Sequence, residues 1–157
     1  MQNTAESLDH GALADVVAAL TQALSETVVT TMKAQNFHWN VEGMAFGPLH
    51  DLFQKIYEDH FEAQDEIAER IKALDGHALG TLQGHLARAK VAEVDGVPSD
   101  KEMIAHMRAD QQLLAGAMYA VGEVAAKHGD KLSEDLAIER GRTHEKFAWI
   151  LGSHLKG

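Results

Sequence analysis

The 157-residue sequence contains no cysteine. Disulfides, thiolate metal sites and a cysteine nucleophile are therefore excluded, and any metal chemistry must use nitrogen and oxygen ligands. Proline is nearly as scarce: only Pro48 and Pro98 occur, so long uninterrupted helices are permitted. No Lys or Arg precedes Lys33, whereas Glu6, Asp9, Asp15 and Glu26 fall in that stretch. No apolar run approaches the roughly 18 residues of a membrane span. Met1 to His10 shows no basic region followed by an apolar one, so neither a membrane anchor nor a secretory leader is expected. A cytoplasmic, bacterial-type protein is the default expectation. What is abundant is acid and histidine. Twenty-four acidic against 14 basic residues give a net charge of −10, which repels phosphate backbones and suits cations, and there are ten histidines. Hydrophobic residues make up 45% and charged residues 24%, the balance of a folded soluble chain. The length is about one domain. Residues 1–11 read as a short acidic tail and 12–157 as a single domain.

Four segments carry the helical period. The first, from about Gly11 to Val41, repeats Leu13, Val16, Val17, Leu20, Leu24 and Val28. The second opens at Gly47-Pro48, proline being suited to a first helical turn. It continues through Leu49, Phe53, Ile56, Ala63, Ile67 and Leu74, with His60 in the same register, and stops near Asp75-Gly76. The third opens on the capping box Ser99-Asp100-Lys101-Glu102, runs through Met103, Met107, Leu114, Met118, Val121 and Ala125, and ends at Gly129. The fourth spans about Asp130 to Leu155. Nothing alternates like a strand, so the fold class is all-α. The connection from Gly76 to Pro98 is too long for an idle loop, and Thr81 to Lys90 is expected to form a short helix in it. Two short links and one long crossover describe a ferritin-like four-helix bundle.

The second segment has an odd polar face. Opposite its apolar stripe lie His50, Gln54, Glu58, Phe61, Asp65 and Glu69. Such a band is ordinarily a solvated face. Yet Phe61 there has no core of its own to enter, and histidine with carboxylates one turn apart suits a cation. His50 and Asp65, 15 residues apart on one helix, are separated by roughly 22 Å and cannot share a metal within one chain. Two copies packed antiparallel about a two-fold axis near Asp59 would bring His50 of one to Asp65 and Glu69 of the other, twice over, with Phe61 near the axis. A di-iron site inside the bundle would need Glu-x-x-His pairs, and no glutamate has a histidine three residues later.

The stretch His38-Trp39-Asn40-Val41-Glu42-Gly43, then Phe46, Leu49-His50, Phe53, Tyr57 and Asp65-Glu66-Ile67-Ala68-Glu69-Arg70, closely resembles the Dps family (DNA-binding protein from starved cells), also called miniferritins. The end of the chain agrees: Asp135-Leu136, His144-Glu145-Lys146 and Trp149-Ile150-Leu151 resemble that family's last helix. The resemblance covers almost the whole chain. It implies a hollow homododecamer built from two-fold dimers. It also implies a ferroxidase that oxidises ferrous iron at the dimer interface, preferably with hydrogen peroxide and otherwise with oxygen, and stores ferric mineral inside against oxidative stress.

The family's two ligand histidines match His38 and His50, and its aspartate and glutamate match Asp65 and Glu69 on the two-fold partner. Trp39 then either quenches radicals at the site or packs beside it. Asp130, Asp135 and Glu139 match positions lining the family's three-fold iron-entry pores, although Asp130 is also an ordinary acidic helix start. One position departs from the pattern: where an acid usually follows the second histidine by four residues, this chain has Gln54, a weaker ligand for a hard cation. A cage with reduced ferroxidase activity is one alternative. A nucleoid protein that mainly coats DNA is another, but it would want a basic tail, and DNA binding through this one is not expected. His60 is expected as a hydrogen-bonded core residue; His10, His77, His85, His106, His128 and His154 are expected on surfaces or loops.

Overall fold

The computed structural model describes residues 3–156; Met1, Gln2 and Gly157 lie outside the described residues, so the expected tail is described only from Asn3. The helices are α1 (Thr4–Ser7), α2 (His10–Asn40), α3 (Phe46–Ala73), α4 (Leu82–Arg88), α5 (Asp100–His128) and α6 (Lys131–His154). The tail thus holds one helical turn that its composition did not announce. α2, α3, α5 and α6 form the four-helix bundle, and α4 lies in the crossover between α3 and α5, against α2.

The boundaries follow from local chemistry. The Ser99 hydroxyl accepts from the Glu102 N–H at 3.2 Å while the Glu102 carboxylate accepts from the Ser99 N–H at 2.8 Å, so α5 starts with both ends of its capping box closed. Gly129 ends it at φ 76°, a left-handed conformation that glycine adopts without penalty. Asp130 then caps α6 by accepting from the Ser133 N–H.

Contrary to the sequence expectation, α2 is long and apolar enough to cross a membrane by length and composition alone. Its apolar face is spent otherwise: Val16, Leu20, Ala23 and Leu24 pack with Ile67, Ile71, Met118 and Val121 at one end of the bundle. A second apolar cluster, including Phe37, Phe53, Ile56, Met103 and Met107, fills the other end.

Between the clusters the bundle is polar. Arg140 donates to both Asp59 oxygens, at 3.1 and 2.7 Å. His60 donates from Nδ1 to Asp59 at 2.9 Å and accepts on Nε2 from the Gln111 amide at 2.9 Å. The Gln111 carbonyl accepts from His144 Nδ1 at 2.8 Å, and His144 Nε2 faces Arg140 at 3.4 Å. The ring of donors and acceptors closes only with both imidazoles neutral, because an ionised carboxylate accepts only and sets the direction of every bond after it. Burial favours the same state, pushing His144 down to about 2 and lowering His60. Asp59 is held low although its burial opposes this, because His60 and Arg140 both bond to it.

Across the bundle, buried Glu26 accepts from the Lys90 and Val91 N–H groups at 2.6 and 3.0 Å, and Lys33 pairs with Asp110 at 2.7 Å while donating to the Ala92 carbonyl. The bonds to Lys90, Val91 and Ala92 fasten the crossover to α2, and the one to Asp110 joins α2 to α5. His85 of α4 is part of the same fastening. Expected on a surface, it is instead buried with Nδ1 2.9 Å from the Ser25 hydroxyl.

Candidate metal centre

His38 comes from the last turn of α2 and His50 from the second turn of α3, joined by the short loop 41–45. The rings stack, centroids 3.7 Å apart and planes 17° from parallel. Each Nδ1 lies 2.7 Å from the other residue's main-chain carbonyl oxygen. A carbonyl oxygen only accepts, so both Nδ1 atoms carry a proton, and in the neutral imidazole form the lone pair of each ring is on Nε2. This is how a protein prepares imidazoles for a metal: Nδ1 is tied down and Nε2 is left for the ligand bond. Phe46 stacks on the far face of His50 at 5.0 Å, and Tyr57 meets His38 edge-on at 5.3 Å. Phe46 and Tyr57 stand in the sequence signature, but their contact with the imidazoles is visible only in the fold.

The remaining residues of the α3 band are placed as follows. Gln54, one turn after His50, donates its amide to Glu58 at 2.8 Å. Asp65 and Glu69 are exposed, and Phe61, one turn before Asp65, is 69% exposed. Asp65 and Phe61 border an open groove shared with Leu82 of α4. Among the described residues no three His, Asp or Glu side chains of the single chain gather to hold a metal. The structure therefore brings His38 and His50 together and leaves Asp65 and Glu69 at the far end of the same helix. Trp39, 62% exposed, points away from the bundle core into an apolar groove with Met32, Leu82 and Leu86.

The residues matched to the pore divide. Asp130 is almost fully buried, its carboxylate bonded to Arg70 at 3.0 Å and to its own helix N-terminus. Asp135 and Glu139 are exposed, and they share one groove between α3 and α6 with Glu66, Glu69 and Arg70. Burial and the nearby Glu139 raise Glu66. That Glu69 lies in the same acidic groove as Asp135 and Glu139 was not visible in the sequence, because α3 and α6 are far apart along the chain.

Comparison with known proteins gives a consistent picture. A ferritin-like domain model matches residues 17–157. The DNA protection during starvation protein of Brevibacillus brevis is 33% identical over 143 residues, covering 90% of this chain and 95% of that one. The Dps crystal structure from Staphylococcus aureus superposes with a TM-score of 0.89 at 33% identity, over 92% of this chain and 97% of that one. The Dps structure from Vibrio cholerae, described as a member of a broad superfamily of ferritin-like diiron-carboxylate proteins, gives 0.92 at 28% identity, over 99% and 98%.

Proposed function

The chain belongs to the Dps family of ferritin-like proteins, and from this premise we propose that it is a ferroxidase and iron store. In this reading two copies pack antiparallel through the α3 band. His38 and His50 of one protomer meet Asp65 and Glu69 of its partner, and six such dimers close a hollow dodecamer in the cytoplasm. Iron is the substrate and the cargo. Two ferrous ions each give one electron to hydrogen peroxide, whose O–O bond breaks, and hydrolysis of the ferric ions releases protons and deposits mineral. Asp135 and Glu139 line the entry for cations; Asp130, committed to Arg70, supports that helix end from inside.

The observation that carries the reading is the stacked histidine pair, with both Nε2 atoms freed by reciprocal bonds to the main chain and no carboxylate of its own chain completing it. A pair prepared in this way, on a chain of net charge −10, is suited to a divalent cation shared between subunits. Anaerobic ferrous loading followed by peroxide tests it. Near-ultraviolet absorbance of ferric product should rise at once in the parent, and at the rate of free solution in a variant lacking Asp65. Equal rates in the two proteins would refute the interface site.

A further inference from the structure

Gln54 occupies the position where a charged ligand would be expected, yet its side chain is not idle. Its amide nitrogen donates to Glu58 at 2.8 Å. An ionised carboxylate only accepts, so the orientation of the amide is settled: the NH2 group faces Glu58 and the carbonyl oxygen is the atom left for another partner. Hydrogen bonding to an anion polarises an amide and raises the electron density on its oxygen. His50, Gln54 and Glu58 are spaced one turn apart, so the three lie within an arc of about 80° on one face of α3. Asp51, the nearest acid by sequence, is displaced about 100° around the helix from His50. His50 has its Nδ1 bonded to the His38 carbonyl and has Nε2 alone to offer, so a cation on it needs further ligands, and the Gln54 oxygen is one that this face can add to the partner's carboxylates.

We propose that Gln54 and Glu58 act as one unit, a neutral oxygen ligand backed by an anion one turn further on, for a divalent cation held by His50. The negative charge missing from the ligand is supplied from behind it. This rests on the reading of the histidine pair as a metal centre and adds a residue to it. Glu58 is a positioning residue here: it touches Gln54, and Gln54 touches the metal.

The test uses the assembled full-length protein and Co2+, which binds nitrogen and oxygen ligands without being oxidised on mixing. Calorimetric titration of the parent should show two binding classes per interface site, and anomalous scattering from Co2+-soaked crystals should place one ion beside the Gln54 carbonyl oxygen. Glu58→Gln keeps the shape and removes the charge. It should weaken the weaker class roughly tenfold, the loss typical of a residue that supports a ligand, and leave the tighter class unchanged. Gln54→Asp puts the charge on the ligand itself and should make Glu58 dispensable, so the double variant should bind at least as well as the parent. If the parent holds two ions and Glu58→Gln changes neither affinity, the pair is only a surface contact along a helix and this inference fails while the metal centre stands. If the parent holds one ion per site, the inference fails and the reading of His38 survives. If no Co2+ binds near the histidines, both fall.

Discussion

His38 and His50 lie on different helices, yet each donates its Nδ1–H to the other's main-chain carbonyl oxygen at 2.7 Å. A ring that turned would lose its own bond to the main chain and its stacking on the other, so the two Nε2 atoms are positioned before any metal arrives. The loop between the helices is short enough to keep the exchange in register, and buried Val41 anchors it in the core.

Phe46 completes the stack from the outside, with its ring 26° from parallel to His50. Aromatic pairs contribute about 0.5–1.5 kcal/mol beyond burial, which corresponds to a factor of about 2 to 12 in an equilibrium. Phe46→Ala should therefore weaken Co2+ binding at the His50 position several-fold, while Phe46→Trp retains it. Because the ring is half exposed, thermal stability should hardly move. An unchanged affinity in the alanine variant would show that the main-chain bonds alone fix His50.

Asp65 and Glu69 are exposed on the single chain and contribute nothing to its core. Asp65→Ala or Glu69→Ala should abolish fast iron oxidation and leave folding intact, since surface substitutions away from such features change stability by about 0.5 kcal/mol or less. Light scattering should report a mass near twelve chains for parent and variants alike. A variant that oxidised iron at the parent rate would remove that residue from the site.

The polar ring predicts an acid dependence whose sign follows from the histidines. His60 and His144 are neutral in the folded chain and ionise near pH 6.5 when unfolded. Below about pH 6.5 the unfolded chain binds more protons, so stability falls as pH falls, by up to ~1.4 kcal/mol per pH unit for each histidine. Asp59, held below the carboxylate range, adds to the loss only below about pH 4. Urea midpoints at fixed protein concentration should drop between about pH 7.5 and pH 5. His144→Asn should lower the midpoint at neutral pH and flatten this slope; a parent with a level profile would show that the ring does not hold its histidines neutral.

The bundle itself was legible because its signals are local. The stripe from Leu49 to Leu74 is buried in the register its spacing demands, His60 included, and the box at Ser99 opens α5 where its side chains close on each other. What stayed hidden depends on partners far along the chain. Glu26 sits on the buried face of α2, and an acid in that row of Val16, Leu20, Ala23 and Thr30 was a signal that something polar must meet it. Its partners, Lys90 and Val91, are 64 and 65 residues away in a segment without periodicity. The reversed expectation for His85 has the same origin: α4 is too short for its buried side to show in sequence. His144 and Gln111 likewise meet only once α5 and α6 have packed.

Glu26 is the residue on which the crossover hangs. Hydrogen bonds to a charged group contribute about 1.5–3 kcal/mol each, and removing the acceptor leaves two main-chain N–H groups without it. Glu26→Ala should destabilise the protein by about 2–4 kcal/mol and raise amide exchange first at Lys90 and Val91. Because α4 borders the groove beside Asp65, loss of the dimer should accompany the loosening. Protection at these two amides equal to that of the parent would show that Lys33 and His85 suffice to hold the segment.

The last prediction concerns DNA, which the name of the Brevibacillus brevis relative brings into question. Affinity for duplex DNA rests largely on Lys and Arg contacts to phosphate, with release of condensed counterions. This chain has little to offer. No Lys or Arg precedes Lys33, so residues 1–32 offer neither side chain to a phosphate. Of the 14 basic residues, Lys33, Arg70 and Arg140 are held by Asp110, Asp130 and Asp59. Those left over face a surplus of carboxylates, in a chain of net charge −10. Assembly into the proposed cage would multiply that charge, so approach to a polyanion is opposed at long range before any contact is made. In a gel-shift assay with linear duplex DNA, chelator and physiological salt at neutral pH, no complex should form. A complex that formed under those conditions and weakened with added salt would show that a cationic surface had been missed. One that formed only after Mg2+ was added would mark metal bridging between carboxylate and phosphate, which the acidic surface permits.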